Sequence, residues 1–182
     1  MIKRRTQLYD TDLLYLFSYD ADLEMRRDEV GFVPGGVRVN IFARPDKTRM
    51  YNVAGEQSIL GAKSLQGTVV AGMDAALIRN DDIGDLDVRL ILRTDDGVTL
   101  FSYYKGLFPA GPRGFRRLIS EKPKLGTEEE PVRAALYIMP RYETANEQYS
   151  WLGQYQCVGF GQATIVKSKI RSATFDVYAM DG

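Results

Sequence analysis

Asp87 and Arg89 stand two residues apart on one alternating stretch of the chain, and Arg141 and Glu143 stand two apart on another. Arginine carries a permanent charge on a rigid fork that grips a carboxylate through two parallel hydrogen bonds, so Arg89 and Arg141 could hold a substrate carboxylate. Asp87, Glu143 and Asp74 are the candidate acids and bases, because burial or pairing moves a carboxyl pKa by several units in either direction. Tyr103, Tyr104 and Tyr137 can hydrogen-bond a ligand or hand it a proton. Trp151 and Tyr149 could form one wall of an aromatic-lined pocket, with Ser102 as a further polar contact. Histidine is absent from the chain. That excludes Ser-His-Asp and Cys-His arrangements and any His-ligated zinc or iron. Acid–base work must fall to Asp, Glu, Tyr or Lys, and no metal or cofactor is expected.

The element that must position Asp87 and Arg89 is a β-hairpin. Asp87, Arg89, Ile91 and Arg93 alternate with Leu86, Val88, Leu90 and Leu92; Thr94-Asp95-Asp96-Gly97 follows, then a second alternating run, Val98–Lys105. Alternation around Asp-Gly is the strongest short-range hairpin signal, since that dipeptide accepts the positive φ angles of a tight turn. With Asp96-Gly97 as a two-residue turn, Arg89 lies opposite Tyr104 and Ile91 opposite Ser102, on one face with Asp87. Val88, Leu90, Leu92, Phe101 and Tyr103 then share the other face. Closed into a barrel, such a sheet is expected to turn its charged face into an enclosed hollow.

Further strands are expected over Leu13–Leu23, Val37–Ala43, Ser64–Ala71, Ala75–Arg79, Ala134–Glu143, Gln154–Ile165 and Ala173–Met180. In Ala134–Glu143, Leu136, Ile138 and Tyr142 share one face and Tyr137, Met139, Arg141 and Glu143 the other. Asn146–Leu152 reads as a short helical turn capped by Thr144 or Asn146, and Leu107–Glu130 as a long loop or lid. The expected fold is all-β: an antiparallel barrel of about eight or more strands with one short helix, a single domain over residues 1–182.

Composition narrows the partners. Lys+Arg and Asp+Glu number 24 each, without the basic excess of a nucleic-acid binder. Lys3-Arg4-Arg5 and Arg113–Arg117 are short enough to be solvated chain. The single cysteine, Cys157, forms no intrachain disulfide and suits a reducing cytoplasm. It lies in the run Cys-Val-Gly-Phe-Gly, where a buried thiol is expected. No run approaches the ~20 apolar residues of a membrane span. Gly35-Gly36 and Gly159-x-Gly161 do not sit between a strand and a helix as a nucleotide loop requires, and they read as turns or sites of close strand approach.

Three blocks carry a family resemblance. The first runs from Leu65-Gln66-Gly67-Thr68-Val69-Val70 to Gly72 and Asp74. The second runs from Leu86-Asp87-Val88-Arg89 through Leu92–Gly97 to Lys105-Gly106-Leu107. The third joins Pro140-Arg141-Tyr142-Glu143-Thr144, Tyr149-Ser150-Trp151-Leu152 and Val158-Gly159-Phe160-Gly161, and Phe175–Tyr178 completes the pattern. The sequence resembles the bacterial and fungal domain-of-unknown-function family 3237, also called uncharacterised protein family 0311. It departs from the pattern at Ala75, where an aromatic usually follows the Asp, and around Pro109–Glu130. The resemblance implies a small antiparallel barrel of lipocalin-like or allene-oxide-cyclase-like outline. It also implies, from a few members, cofactor-free lyase activity on lignin-derived aromatic dimers: loss of a carboxyl group from a phenylcoumaran and opening of its ether ring to a stilbene.

Three functions are carried forward. The first is a cofactor-independent lyase, decarboxylase or isomerase/cyclase on a small aromatic acid, phenol or polyketide metabolite. In it a base removes the phenol proton, a Tyr or protonated carboxyl protonates the departing ether oxygen, and an Arg holds the carboxylate. The second is a non-catalytic barrel that binds a small hydrophobic or aromatic ligand. The third is a structural module with a filled interior. A homo-oligomer, most simply a dimer, is expected from exposed strand edges and from the family.

Overall fold

Leu86, Val88, Leu90 and Leu92 are buried while Arg89, Ile91 and Arg93 are exposed, so the period-two pattern becomes a strand, β5 (Ile83–Thr94). The computed structural model describes residues 12–52, 65–111, 113–119 and 126–181. Lys3-Arg4-Arg5, Ser64 and residues 112 and 120–125 of the expected lid lie outside them. In chain order the other strands are β1 (Asp12–Val33), β2 (Gly36–Ala43), β3 (Arg49–Tyr51), β4 (Gly67–Arg79), β6 (Thr99–Pro109), β7 (Val132–Glu143), β8 (Cys157–Val166) and β9 (Lys169–Asp181). A short helix, α1 (Gly114–Ile119), follows β6, and a 3-10 helix over Glu147–Gln154 joins β7 to β8. Asn146 caps that turn by accepting the Gln148 N–H at 2.9 Å.

All pairings are antiparallel: β1 pairs with β2 and β3, each of these pairs with β4, every strand from β4 on pairs with the next, and β1 closes the ring against β9. The long β1 serves both neighbours: Asp12–Asp22 pairs with β9 and Leu23–Val33 with β2. β3 continues the line of β2 against Ser18–Asp20, so the two share one of eight positions in a closed barrel. Two expected strands, ending at Ala71 and beginning at Ala75, are one continuous β4. β1 runs ten residues beyond Leu23, and β8 begins at Cys157 rather than Gln154.

The register of the central hairpin corrects the two-residue turn. Gly97 N–H donates to the Thr94 carbonyl at 2.9 Å, Thr94 N–H donates to the Val98 carbonyl at 2.9 Å, and Gly97 holds φ +91°. This is a three-residue loop in which a turn is followed by a left-handed glycine bulge. One residue more in the loop moves every β6 side chain to the opposite face. Arg89 therefore pairs with Tyr103 and Val88 with Tyr104, and Leu90 pairs with Ser102. Tyr104 and Ser102 turn inward with the leucines, while Phe101 and Tyr103 turn outward.

The interior is filled at one level by Phe17, Tyr19 and Tyr142, with ring centroids 5.0 and 5.8 Å from Phe17 in edge-to-face geometry. Gly161 shows why the glycine pair on β8 belongs to strand packing: a Cβ there would stand 1.9 Å from the Thr174 carbonyl oxygen and 2.7 Å from Phe175 Cδ1. Gly161→Ala is therefore expected to destabilise the barrel by ~1–3 kcal/mol through overpacking, lowering Cm in urea. An unchanged Cm would contradict the close approach.

Candidate functional site

A cavity of about 70 Å³ lies inside the barrel. Its polar groups come from Asp74 on β4, Tyr104 on β6, Tyr19 on β1 and Thr48; aliphatic and aromatic side chains such as Val88, Leu90, Leu136 and Phe175 supply most of the rest. No Lys or Arg among the described residues lines it. The space arises from small residues in register: Ala21 pairs with Ala173, Ala173 with Ala163, and Ala163 with Ala134, a row of alanines across β1, β9, β8 and β7. Ala163 sits on the strand diametrically opposite β4, so Asp74 faces the side of the barrel where side chains are shortest.

Asp74 is held by a break in the sheet. It pairs with Val88, and pairing with β5 resumes only at Leu77 and Asp85. In the gap, Asp87 N–H donates to the Asp74 carboxylate at 2.8 Å. Desolvation dominates its titration and raises the pKa to about 7; the Asp87 N–H and the Arg38 charge pull it down less strongly, and the Asp87 charge adds to the rise. A carboxyl poised near neutrality and facing a cavity can accept or give a proton at ordinary pH.

Tyr104 shares a rung with Asp74, two strands away across Val88. It is half-buried and lines the cavity, and burial raises its pKa well above the usual tyrosine value. Tyr19 and Tyr142, also raised by burial, bring their hydroxyls to 3.5 Å. Ser102 Oγ is fully buried beside Tyr142 and makes no hydrogen bond of normal geometry with any of the described residues, although the Tyr19 hydroxyl stands near enough to feel it. Tyr19 lies in an apolar strand run, Leu-Leu-Tyr-Leu-Phe-Ser-Tyr. Its parity with Phe17 was the signal that could have placed it inside.

The charged face of the central ribbon points outward, which corrects the expectation that it lines a hollow. The physical reason is desolvation: the leucine face has more to gain from burial, and several charges inside would each need a partner. Arg89 donates to Asp87, and Lys105 Nζ donates to Asp87 Oδ2 at 2.8 Å. These two cations hold the Asp87 carboxyl below the usual range, Lys105 contributing most. Asp87, Arg89, Tyr103 and Arg141 share an open outer groove, where Arg141 Nη2 donates to Gln156 Oε1 at 3.3 Å. Glu143 and Tyr137 are exposed on the same outer surface, and Tyr137 packs on Phe160. Tyr149 donates to Asp96 Oδ2 at 2.8 Å and Trp151 packs edge-on against Tyr155, so both brace the 3-10 turn rather than wall the cavity. Of the expected residues, the interior brings together Asp74 and Tyr104, with Ser102 behind them. Arg89→Ala is accordingly expected to change stability by less than ~1 kcal/mol, the worth of an exposed pair; a larger loss in chemical denaturation would contradict its outer position. Cys157 is buried, its thiol pushed up to about 11 by burial.

Fold and cavity define a closed antiparallel β-barrel with a small, largely apolar hollow that one buried carboxyl faces. Within that class, the family model for a protein of unknown function, DUF3237, matches residues 33–180, and the chain belongs to that family. A UPF0311 protein of Rhodopseudomonas palustris (strain ATCC BAA-98 / CGA009) is 32% identical over 88 residues, 48% of this chain and 54% of the relative. The match thus spans about half the length of that curated relative. The crystal structure of a conserved protein of unknown function from Rhodopseudomonas palustris superposes with a TM-score of 0.70 at 21% identity, covering 95% of this chain and 99% of that one. A beta-barrel like protein from Acinetobacter baumannii AYE gives 0.64 at 20% identity, covering 97% and 100%. At these identities the likeness establishes a shared fold. No helix among the described residues is long and apolar enough to cross a membrane.

Proposed function

We propose that the chain is a cofactor-independent acid–base catalyst of lyase or isomerase type, acting inside the barrel on a small neutral phenolic or enolisable ligand. The observation that carries this reading is Asp74: one buried carboxyl, its pKa about 7, facing a cavity that no cation among the described residues lines. Its carboxylate takes the proton of the ligand's acidic O–H, and electron density moves toward the benzylic carbon. The C–O bond of an ether at that carbon breaks, its electron pair leaving with oxygen, which takes a proton from the Tyr104 hydroxyl. The ligand is left as a quinone methide, and Tyr104 regains its proton from the Asp74 carboxyl, so the net change is transfer of the phenol proton to the ether oxygen. General acid–base help of this kind is worth about 10²–10⁴-fold.

Two features bear on the substrate. An anionic carboxylate placed beside Asp74 would be buried without a partner, which is costly, so ether opening or isomerisation of a neutral ligand is better supported than decarboxylation of an Arg-held acid. The cavity holds about 70 Å³, roughly half of the ~150 Å³ void that admits benzene in an engineered core. A single ring needs modest widening, and a lignin-derived dimer needs much more. The largely apolar lining favours a second reading, a binding barrel without turnover.

The test is incubation with a panel of neutral phenols, benzylic ethers and enolisable ketones without added cofactor, followed by absorbance and mass. Turnover of one class, lost in Asp74→Asn, is the expected result. A panel that raises Tm but yields no product would overturn catalysis in favour of binding.

A further inference from the structure

We infer that Arg38, on the outside of the barrel, is a positioning residue for Asp74, acting by holding one rung of the β4–β5 ladder open. The register on either side of the gap places Ala75 opposite Asp87. In an unbroken ladder, the Asp87 N–H and the Ala75 carbonyl are facing groups available to each other. Here both are taken by side chains. Asp87 N–H donates inward to Asp74 Oδ1 at 2.8 Å, and the Ala75 carbonyl accepts from Arg38 Nη1 at 2.9 Å.

A backbone carbonyl left without a donor in a sheet carries a penalty of about 1–3 kcal/mol, so an opened rung stands only if something satisfies each half. Arg38 is suited to this: it lies on β2 opposite Leu77, between the inward-facing Val37 and Val39, and its fork reaches across β4 from outside. The interior carboxyl thereby gains a fixed backbone donor. Charged and titratable groups meet Asp74 from three neighbouring strands: Arg38 from β2, Asp87 from β5 and Tyr104 from β6. Asp87 is itself gripped by Arg89 and Lys105, so the outer ion cluster anchors the residue whose N–H orients the inner one.

The inference rests on the reading of Asp74 as the proton-handling group, but its test does not need turnover. In ¹H–¹⁵N spectra of the full chain, the Asp87 amide should show, above the transition of its own carboxyl, a second transition that coincides with the Asp74 carboxyl titration followed by ¹³C. Asp74→Asn should abolish that second transition. In Arg38→Met the Ala75 carbonyl recaptures the Asp87 N–H, so the amide should lose the second transition and the Asp74 midpoint should rise. Arg38→Lys keeps both a donor and a charge and should restore the transition at least in part. A wild-type Asp87 amide that ignores the Asp74 titration overturns the inference without any variant. So does an Arg38→Met amide that still follows it at an unchanged midpoint. A panel without turnover but with the amide coupling intact would defeat the functional reading alone.

Discussion

Asp74→Asn is expected to abolish most turnover, by about 10²–10⁴-fold, while making the barrel more stable above neutral pH. Asparagine keeps an oxygen to accept the Asp87 N–H, so the sheet gap is preserved and only the ionisation is lost. The carboxyl ionises near 3.8 when unfolded and near 7 in the barrel. Between those values the native state holds a proton that the unfolded chain has released, so wild-type stability falls as pH rises through that window. The destabilisation is absent below about pH 4 and fully present above about pH 7, where it amounts to at most about 4 kcal/mol. The variant lacks this slope. Urea denaturation of both proteins on each side of the window measures it. A variant less stable than the wild type at every pH would mean that Asp74 serves the fold and not proton transfer.

Ala163→Leu should remove ligand binding without weakening the protein. It introduces three carbons into a cavity of about 70 Å³ from the wall facing Asp74, touching neither Asp74 nor Tyr104. Each buried methylene contributes about 0.8 kcal/mol where it fits, offset by strain where it does not. The expected outcome is a Tm at or above the wild-type value, with ligand-induced stabilisation and turnover both lost. Undiminished binding in this variant would place the ligand elsewhere, with the outer groove along Arg89 and Arg141 the first candidate.

Strand faces were legible in the sequence wherever burial was one-sided. Leu86, Val88, Leu90 and Leu92 declare an inner face by parity, as do Leu136, Ile138 and Tyr142, and the structure buries all seven. What parity could not decide was how two strands meet. Thr94-Asp95-Asp96-Gly97 suits a two-residue and a three-residue loop alike, and that single residue determines whether Tyr104 or Tyr103 enters the barrel. The direction of the charged face followed from energetics more than from pattern: an Asp87–Arg89–Lys105 cluster is content in water, whereas three leucines and a valine are not. Asp74 was named as a candidate, yet its distinctive feature, a rung opened between Arg38 and Asp87, depends on three strands whose register no local signal encodes. The alanine row was equally hidden, because Ala134, Ala163 and Ala173 align only through the registers of β7, β8 and β9, and Ala21 joins them only once the barrel closes.

The most direct measurement is calorimetric titration of the wild-type protein with two ring-sized probes, phenol and benzoate, on the acid side of neutrality and again on the alkaline side. Heat from phenol on both sides of neutrality, with an affinity that changes as Asp74 ionises and little or no heat from benzoate, is what an interior without a cation facing that residue predicts. Benzoate binding as tightly as phenol, with no dependence on pH, would contradict it.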